Sequence, residues 1–295
     1  MKTYRECPLC TSAQIQPHLR CKDHTASGKM FDLYRCGTCG FLFTQDIPDE
    51  NEIGEYYQSA GYLPHASGAA GLLATAYRLV RRIALRQKKN LVCRTAGRSR
   101  GTLLDIGCGT GEFLHTMKKA GWDVKGVEPS EAARQHAKTR YDLDVSPPSD
   151  LPELPDASFD VITMWHSLEH VQDLRGYLTK IRSLLNAKGL LLVAVPNADS
   201  FDASHYREFW AAYEVPRHLH HFTPATMKQW LDKYGLHLET MMGMPFDAYY
   251  ISLLSEKYRS GKRNFWRVFL MGRDFNNRAK DHPERCSSII YIAHK

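Results

Sequence analysis

Residues 103–128, LLDIGCGTGEFLHTMKKAGWDVKGVE, contain the most informative pattern for the fold of this chain. A short apolar run predicts a strand, and it ends in the glycine loop Gly107-Cys108-Gly109-Thr110-Gly111. Apolar residues at helical spacing follow, Gly121 stops that helix, and residues 122–127 alternate as a second strand. The pattern predicts strand, turn, helix and strand, with an acid, Glu128, at the second strand's end.

The glycine loop and Glu128 have the features of a ligand site. A strand that turns directly into a helix needs backbone conformations that glycine adopts cheaply, and a ligand must approach that backbone closely. The first turn of the helix offers unpaired N–H groups to a carboxylate or phosphate. Glu128 suits the two hydroxyls of a ribose, because a carboxylate can accept both hydrogen bonds.

The loop spacing is D-x-G-x-G-x-G from Asp105, which differs from the G-x-G-x-x-G dinucleotide fingerprint. Here the sequence resembles the class I S-adenosylmethionine-dependent methyltransferases over roughly residues 100–245. The resemblance implies a doubly wound, Rossmann-like α/β fold with a seven-stranded sheet whose last strand is antiparallel. It also implies S-adenosylmethionine (SAM) as the cofactor, with these candidate residues: Asp105 near the methionine end, Gly107, Cys108, Gly109, Gly111, Glu128 on the ribose, Pro129, Asp150 on the adenine, and Trp165.

Beyond Glu128 the strands and helices keep alternating, as in doubly wound folds whose ligands bind beyond the carboxyl ends of the strands. Strands are predicted at 141–145, 159–165, 190–195, 236–242 and 287–294, and helices at 48–57, 72–90, 131–138, 173–185, from 224 and around 248–258. The polar and basic insert at 260–286 carries no recognised motif and could shape an acceptor pocket.

Composition sets the class of protein. The chain has 295 residues, 43% of them apolar, and eight cysteines. No apolar run approaches the length of a membrane span, and the N-terminus lacks the apolar centre of a signal peptide, so a cytoplasmic protein is expected. Disulfides would be unusual there, which makes paired cysteines candidates for metal binding.

Two C-x-x-C pairs predict a structural zinc site near the N-terminus. Cys7 and Cys10 form the first pair, and Cys36 and Cys39 form the second. Each tight turn supplies two thiolates, and four thiolates complete a tetrahedral site without an open position. We therefore predict a zinc ribbon at 1–45, a linker and basic helix at 46–100, and the methyltransferase domain at 101–295.

The linker region ends in a basic segment. Residues 61–71 are rich in glycine, alanine and serine, and the predicted helix then places Leu72, Ala76, Leu79, Val80 and Ile83 on one face. Residues 72–100 contain nine Lys and Arg and no Asp or Glu, against a net charge of +7 for the chain. The helix either packs on the catalytic domain with a solvated basic face or binds an anionic partner, such as RNA, a membrane surface or an anionic substrate.

Two histidine-containing stretches follow predicted strands. Trp165-His166-Ser167-Leu168-Glu169-His170 is similar to the L-E-H stretch of the ubiquinone-pathway O-methyltransferases, where Glu-x-x-Glu-His is associated with a divalent cation. His166 replaces the first glutamate of that pattern. We expect His166 in the active site, either as a catalytic group or as part of the cofactor pocket wall, with Glu169 and His170 as supporting groups.

The second stretch is Pro216-Arg217-His218-Leu219-His220-His221-Phe222-Thr223. The pattern resembles a loop of bacterial methyltransferases that are often encoded beside surface-glycan or natural-product genes. A histidine can take a proton from a hydroxyl at neutral pH, so His218 and His221 are candidate catalytic bases beside His166. Alternatively, they hydrogen-bond the loop to the sheet.

The predicted activity is SAM-dependent methylation, with a hydroxyl of a sugar, glycan or small metabolite as the first choice of acceptor. An RNA or protein methyltransferase is the alternative that the zinc ribbon and basic helix favour. A sugar C-methyltransferase and a non-catalytic SAM-binding module remain further alternatives.

Overall fold

The computed structural model describes residues 1–49, 52–57, 72–262 and 265–295, with the backbone alone for 72–80. The strands, in chain order, are β1 (Ile15–Lys22), β2 (Met30–Cys36), β3 (Leu42–Thr44), β4 (Thr102–Ile106), β5 (Asp123–Val127), β6 (Val145–Ser146), β7 (Phe159–Trp165), β8 (Leu185–Pro196), β9 (His220–His221), β10 (His237–Gly243) and β11 (Ser288–His294). The helices are α1 (Ile53–Tyr57), α2 (Leu72–Thr95), α3 (Glu112–Lys119), α4 (Glu131–Tyr141), α5 (Leu174–Leu184), α6 (Phe201–Tyr206), α7 (Pro224–Lys233), α8 (Pro245–Ser260) and α9 (Phe265–Asp281).

The larger sheet has seven strands in the order β10-β11-β8-β7-β4-β5-β6. Strands β4 to β8 pair in parallel, and β11 lies antiparallel between β8 and β10. The predicted fold class is therefore confirmed. Because β4 lies between β7 and β5, the glycine loop that follows β4 meets the carboxyl ends of both neighbours, where doubly wound folds bind ligands.

The N-terminal cysteine region forms a second sheet, in the order β1-β2-β3-β9. Its last strand comes from the distant histidine loop, with Leu42 opposite His221 and Phe43 opposite His220. Phe41 also packs against Phe222, with ring centroids 5.3 Å apart. The small sheet thus crosses the domain boundary predicted at residue 45 and shares one hydrophobic core with the larger sheet.

Helix α2 packs on the opposite face of the larger sheet, beside α3. Leu91 and Val92 are buried there with Leu114 and Met117. Ile83, which we predicted on the apolar face, is 46% exposed, so the packed face starts nearer the helix's C-terminal end. The side chains predicted on that face at 72–80 lie outside the described residues.

Several element boundaries differ from the predictions. Tyr141 belongs to α4, and the strand predicted at 141–145 is reduced to the two-residue β6, Val145–Ser146. Strand β8, predicted at 190–195, already begins at Leu185, and α1 begins at Ile53. The start of the helix predicted at 48–57 and the small-residue linker at 61–71 lie partly or wholly outside the described residues.

The insert at 260–286, for which we predicted no particular element, contains the 17-residue helix α9. It packs beside α8, and together these helices form a helical hairpin next to β10 and β11. Among the helices that the structure describes, no segment combines the length and apolarity that a bilayer span requires.

Candidate functional site

The glycine loop turns sharply at the carboxyl end of β4. Gly107, Gly109 and Gly111 have φ angles of 78°, 54° and 80°, the left-handed region in which a side chain costs free energy. A Cβ on Gly107 would come within 2.3 Å of the Ser167 side chain, whereas a Cβ on Gly109 would meet no atom within 4 Å. The loop is therefore packed against Ser167 on one side and open at Gly109, where a ligand could lie against the backbone.

Glu128 fixes the loop from the end of β5. Its Oε2 accepts a hydrogen bond from the Gly109 N–H at 2.8 Å, and its Oε1 accepts one from the Ser130 N–H at 3.0 Å. The Glu128 carboxylate is 8% exposed. It therefore lies beside the open part of the loop, where a ribose would meet it, and it also holds the loop in shape.

Asp105 lies at the end of β4, below the loop. It is buried and accepts a hydrogen bond from Thr163 Oγ1 at 2.6 Å. Burial raises the pKa of this carboxyl to about 7, against the lowering effects of Thr163 and the Lys88 charge. A buried carboxylate in this position would gain from a cationic ligand group, and the ammonium of the SAM methionine is such a group.

Helix α2 contributes Lys88 to the same place. Its Nζ lies 4.4 Å from the centre of the Trp165 ring, within the range of a cation–π contact. Burial lowers the pKa of Lys88, while the charges of Asp105 and Asp247 raise it. An ammonium between Trp165 and two carboxylates suits the carboxylate of a bound methionine moiety.

His166 follows β7 and lies between two carboxylates. Its Nε2 is 3.3 Å from Asp247 Oδ2, and its Nδ1 is 3.6 Å from Glu169 Oε1. Burial disfavours the charged ring, but Asp247 and Glu169 outweigh that effect and raise the pKa of His166 to about 10. The ring is 34% exposed and adjoins Ser167, which packs on the glycine loop.

Glu169 stands behind His166 in a buried cluster of imidazoles. One nitrogen each of His170 and His218 and one oxygen of Glu169 lie within 4.8 Å of one another. Both rings direct Nδ1 at backbone carbonyls, of Arg217 at 3.0 Å and Ala212 at 2.8 Å, so Nδ1 carries the proton. In its neutral form, each ring therefore keeps an acceptor at Nε2 near a carboxylate, a set of atoms that fits a cation.

The remaining histidines of the loop hold its backbone in place. His220 Nε2 donates to the Val171 carbonyl at 2.8 Å. Thr44 Oγ1 donates to the His218 carbonyl at 2.7 Å, so the 3.0 Å contact between His221 Nε2 and Thr44 Oγ1 has His221 as the donor. Burial lowers the pKa of His221 well below its usual value. The geometry favours the structural alternative for His221, which contacts β3 of the small sheet.

Arg217, from the same loop, ties three segments together. Its guanidinium is buried and donates to Glu214 Oε1, to the Tyr56 carbonyl and to Thr25 Oγ1, at 2.9, 2.9 and 2.7 Å. These contacts join the β1–β2 turn and α1 to the loop before β9. The segment between β8 and α7 consequently connects the small sheet to the larger sheet through these hydrogen bonds.

The four predicted zinc ligands converge at one end of the small sheet. Cys7 Sγ is 3.7 Å from Cys39 Sγ, and Cys10 Sγ is 3.5 Å from Cys36 Sγ, with all four atoms within 4.8 Å of one another. Four sulfurs around one zinc at a Zn–S distance of about 2.3 Å lie about 3.8 Å apart. The cluster therefore fits a tetrahedral zinc ion, which would stabilise a sheet with little core of its own.

The other predicted cofactor residues follow the carboxyl ends of strands in the larger sheet: Cys108 follows β4, Pro129 follows β5 and Asp150 follows β6. The Cys108 N–H donates to the Val127 carbonyl, and burial raises the pKa of its thiol. The Pro129 carbonyl accepts from Arg134 at 2.7 Å. Asp150 lies in a short 3-10 helix after β6, half-buried and bonded to Ser149 Oγ at 3.0 Å. Its contact with an adenine stays a prediction.

Sequence reasoning missed Lys88 and Asp247 as site residues. For the nine basic residues of 72–100 as a group we predicted either a solvated face or an anionic partner, but Lys88 shares a helical face with Leu85 and Val92, which pack on the core. Asp247 lies in the first turn of α8, directly after Pro245. A lysine within an apolar stripe was therefore a usable signal, whereas the approach of α8 to His166 depends on tertiary structure.

Comparison with known proteins identifies the catalytic domain. A protein family described as a methyltransferase domain matches residues 76–240, more than half of the chain. The chain belongs to this family. The methyltransferase is similar to the ubiquinone biosynthesis O-methyltransferase of Rhodopseudomonas palustris, at 28% identity over 173 residues that cover 55% of this chain and 67% of that protein. The corresponding enzyme of Actinobacillus pleuropneumoniae serotype 7 is 30% identical over 174 residues, 53% and 72% of the two chains.

Solved structures give the same fold. A SAM-dependent methyltransferase from Archaeoglobus fulgidus matches with a TM-score of 0.50 and 20% identity, over 73% of this methyltransferase and 94% of that chain. The prediction that the chain is a SAM-dependent methyltransferase related to the ubiquinone-type O-methyltransferases is confirmed. The glycine loop, Asp105 and Glu128 lie at the carboxyl edge of the parallel strands β4 and β5 in this fold.

Proposed function

We propose that the protein transfers the SAM methyl group to a hydroxyl oxygen of a sugar, glycan or small metabolite. The position of His166 carries this proposal. Its partly exposed imidazole adjoins the glycine loop and is oriented by two carboxylates, and the neutral form of this ring is the species that would take a proton from an acceptor hydroxyl. The O-methyltransferases among the relatives support oxygen as the methylated atom.

Cofactor binding in this proposal uses residues from four elements. Glu128 would bind the ribose hydroxyls and Asp105 the methionine ammonium. Lys88 would bind the methionine carboxylate, and the ligand would lie against the open backbone at Gly109. When bound, SAM supplies an electrophilic methyl group on a sulfonium. The chain's contribution is then to hold the acceptor oxygen in line with that carbon, where alignment accounts for much of the acceleration.

His166 and Asp247 would act together on the acceptor. In the neutral ring, Nδ1 would keep its proton toward Glu169 and Nε2 would take the hydroxyl proton, while Asp247 beside Nε2 stabilises the imidazolium that forms. Glu169 stabilises the imidazolium from the buried side. Burial raises the pKa of Glu169, but the neighbouring imidazoles, chiefly His166, outweigh this effect and lower the pKa to about 2. His218 supports Glu169 from behind, and the zinc proposed at the four cysteines has a structural role.

Transfer of radioactive methyl from SAM tests the proposed function. The protein is incubated with labelled SAM and a lysate of its own organism that lacks the gene, and the label is then fractionated. Label in the polysaccharide, lipid-linked or small-molecule fraction, lost with His166→Ala, is expected. Ribonuclease-sensitive or protease-sensitive label would refute the proposed acceptor, and label that His166→Ala does not reduce would refute the role of His166.

An RNA acceptor is the second candidate, and one surface favours it. A shallow groove between α2 and α3 is lined by Arg82, Arg86, Lys89, His115 and Lys119, with no acidic residue among its lining side chains. Such a groove suits a phosphate backbone, and its affinity for RNA would fall steeply with salt. Ribonuclease-sensitive label in the same experiment, lost when Arg82 and Arg86 are replaced by glutamine, would support this alternative.

A further inference from the structure

Helices α8 and α9 expose an unusual number of large apolar side chains. Phe246 and Tyr250 lie one turn apart on α8 and are 62% and 65% exposed. On α9 the exposed apolar residues are Phe265 (66%), Trp266 (80%), Phe269 (50%) and Leu270 (60%). Their spacing of one, four and five residues forms a single stripe on α9.

The two helices present these side chains as one surface. Tyr249 lies between Phe246 and Tyr250 in sequence, and its ring stacks on Phe269 with centroids 6.0 Å apart. Gly272 permits the close approach, since a Cβ there would meet the Tyr249 ring at 2.5 Å. Single exposed apolar residues are normal, but a contiguous aromatic surface on a monomer marks an interaction site. We call the six exposed residues the aromatic surface.

Basic side chains accompany the aromatic surface. Residues 257–273 contain Lys257, Arg259, Lys262, Arg263, Arg267 and Arg273, and no Asp or Glu. Two acids flank this range: Glu256 is buried and paired with Arg259 and Arg267, and the exposed Asp274 pairs with Arg278 at 3.8 Å. Arg273 lies one turn beyond Phe269 on α9 and is exposed. The hairpin therefore combines exposed aromatic residues with an excess of positive charge.

The combination of exposed aromatic residues and positive charge allows three possible partners to be compared: a second copy of the chain, RNA and an anionic bilayer. A two-fold dimer would place the same basic residues of two copies near one another, which costs electrostatic free energy. RNA would pair with the charges but would leave a leucine and phenylalanines exposed. An anionic bilayer satisfies both features, because Trp, Phe and Leu enter the interface while Lys and Arg contact the lipid headgroups.

We propose that the α8–α9 hairpin docks the protein on an anionic membrane surface through the aromatic surface. Asp247, which contacts His166, lies next to Phe246 at the N-terminal end of the same hairpin. Docking would thus bring the acceptor side of the catalytic site close to the bilayer. The docking itself depends on neither the acceptor nor the catalytic chemistry.

Tryptophan fluorescence and vesicle sedimentation test the proposal on the full-length protein. Of the five tryptophans, Trp122, Trp165, Trp210 and Trp230 are at most 8% exposed, so a change in solvation reports mainly on Trp266. We expect a blue shift and co-sedimentation with vesicles of phosphatidylcholine and phosphatidylglycerol, and weak binding to phosphatidylcholine alone. Trp266→Phe should abolish the shift and largely retain sedimentation.

The double variant Trp266→Ser with Leu270→Ser should weaken vesicle binding by at least about tenfold, or roughly 1.4 kcal/mol. Met30→Ser removes a 46% exposed methionine from the small sheet and should leave binding unchanged. All variants change exposed side chains, and thermal unfolding by circular dichroism checks that they fold. Unchanged binding by the double variant, no binding by the wild type, or a dimer that the double variant dissociates would overturn the proposal.

Discussion

His166 shows how neighbouring charges set the behaviour of one side chain. Its two carboxylate neighbours raise its pKa to about 10, so the ring is protonated at neutral pH and cannot then accept a proton. The neutral ring becomes more abundant as the pH rises. If His166 is the base, kcat/KM should therefore increase with pH across the neutral and alkaline range.

Replacing Asp247 by asparagine tests this electrostatic account. The variant removes a negative charge 3.3 Å from His166 Nε2, which lowers the His166 pKa and should move the pH–rate limb down by at least about one pH unit. The plateau should fall as well, because the imidazolium that forms during proton transfer loses its partner. A pH limb that stays in place would show that another group titrates.

Lys88 gives a second prediction at this scale. Lys88→Met should weaken binding of S-adenosylhomocysteine about tenfold or more, because a charge-assisted hydrogen bond to its carboxylate is lost. Methylthioadenosine lacks that carboxylate and should bind equally to both proteins in a calorimetric titration. Lys89→Met removes the same charge from the adjacent position and serves as the control. Equal losses for both ligands would contradict the carboxylate assignment.

Residue types and spacing were enough to predict some of the site. The four cysteines and the glycine loop with Glu128 are local patterns whose chemistry is fixed by the turn that carries them, and the structure brings each set together. His218 and His221 could not be assigned in this way. Their roles depend on carbonyls and hydroxyls from distant segments, such as Thr44, which is 177 residues from His221.

At the scale of elements, the small sheet depends on the catalytic core for its last strand. β9 carries the histidine loop, and the cysteine cluster shares its core with Phe222 and Trp230. The two-residue strand β9 has no sequence signature. The pairing of β3 with β9 therefore had to come from the structure.

Zinc content tests the cysteine cluster. We expect about one zinc per chain by elemental analysis, and loss of that zinc on replacing Cys36 and Cys39 by serine. Because β3 pairs with β9, the same variant should also lower the thermal stability of the catalytic domain. Cys93→Ser changes a cysteine of α2 and serves as the control. Zinc that persists in the double variant would refute the site.

The helical insert is the other element that the sequence did not predict. The strongly buried positions of residues 265–281 are Val268, Gly272, Phe275 and Ala279, which follow helical spacing. Two of these four are small residues, while larger apolar residues such as Trp266 and Leu270 lie on the exposed face, so the sequence pattern does not reveal the buried face. The exposed apolar stripe leads to the proposal of membrane docking.

For the whole molecule, the alternation of strands and helices predicted a doubly wound fold, and the resemblance to class I methyltransferases implied the seven-stranded sheet with an antiparallel last strand. Parallel strands buried on both faces read as continuous apolar runs, as in β7 and β8. The contribution of α2 to the cofactor edge was not predictable, because a helix that precedes the first catalytic strand can pack on either face. Its contact with Trp165 places it over the cofactor side of the sheet.

The central claim is that the glycine loop and Glu128 form the SAM site of this methyltransferase. Calorimetric titration with S-adenosylhomocysteine tests it most directly. We predict one saturable site per chain, weakened at least about tenfold by Glu128→Ala, since the variant loses both the ribose contact and the anchor of the Gly109 N–H. Glu131→Ala, which removes an exposed acid from α4, should bind as the wild type does. No binding by the wild type, or equal affinity of Glu128→Ala, would contradict the account.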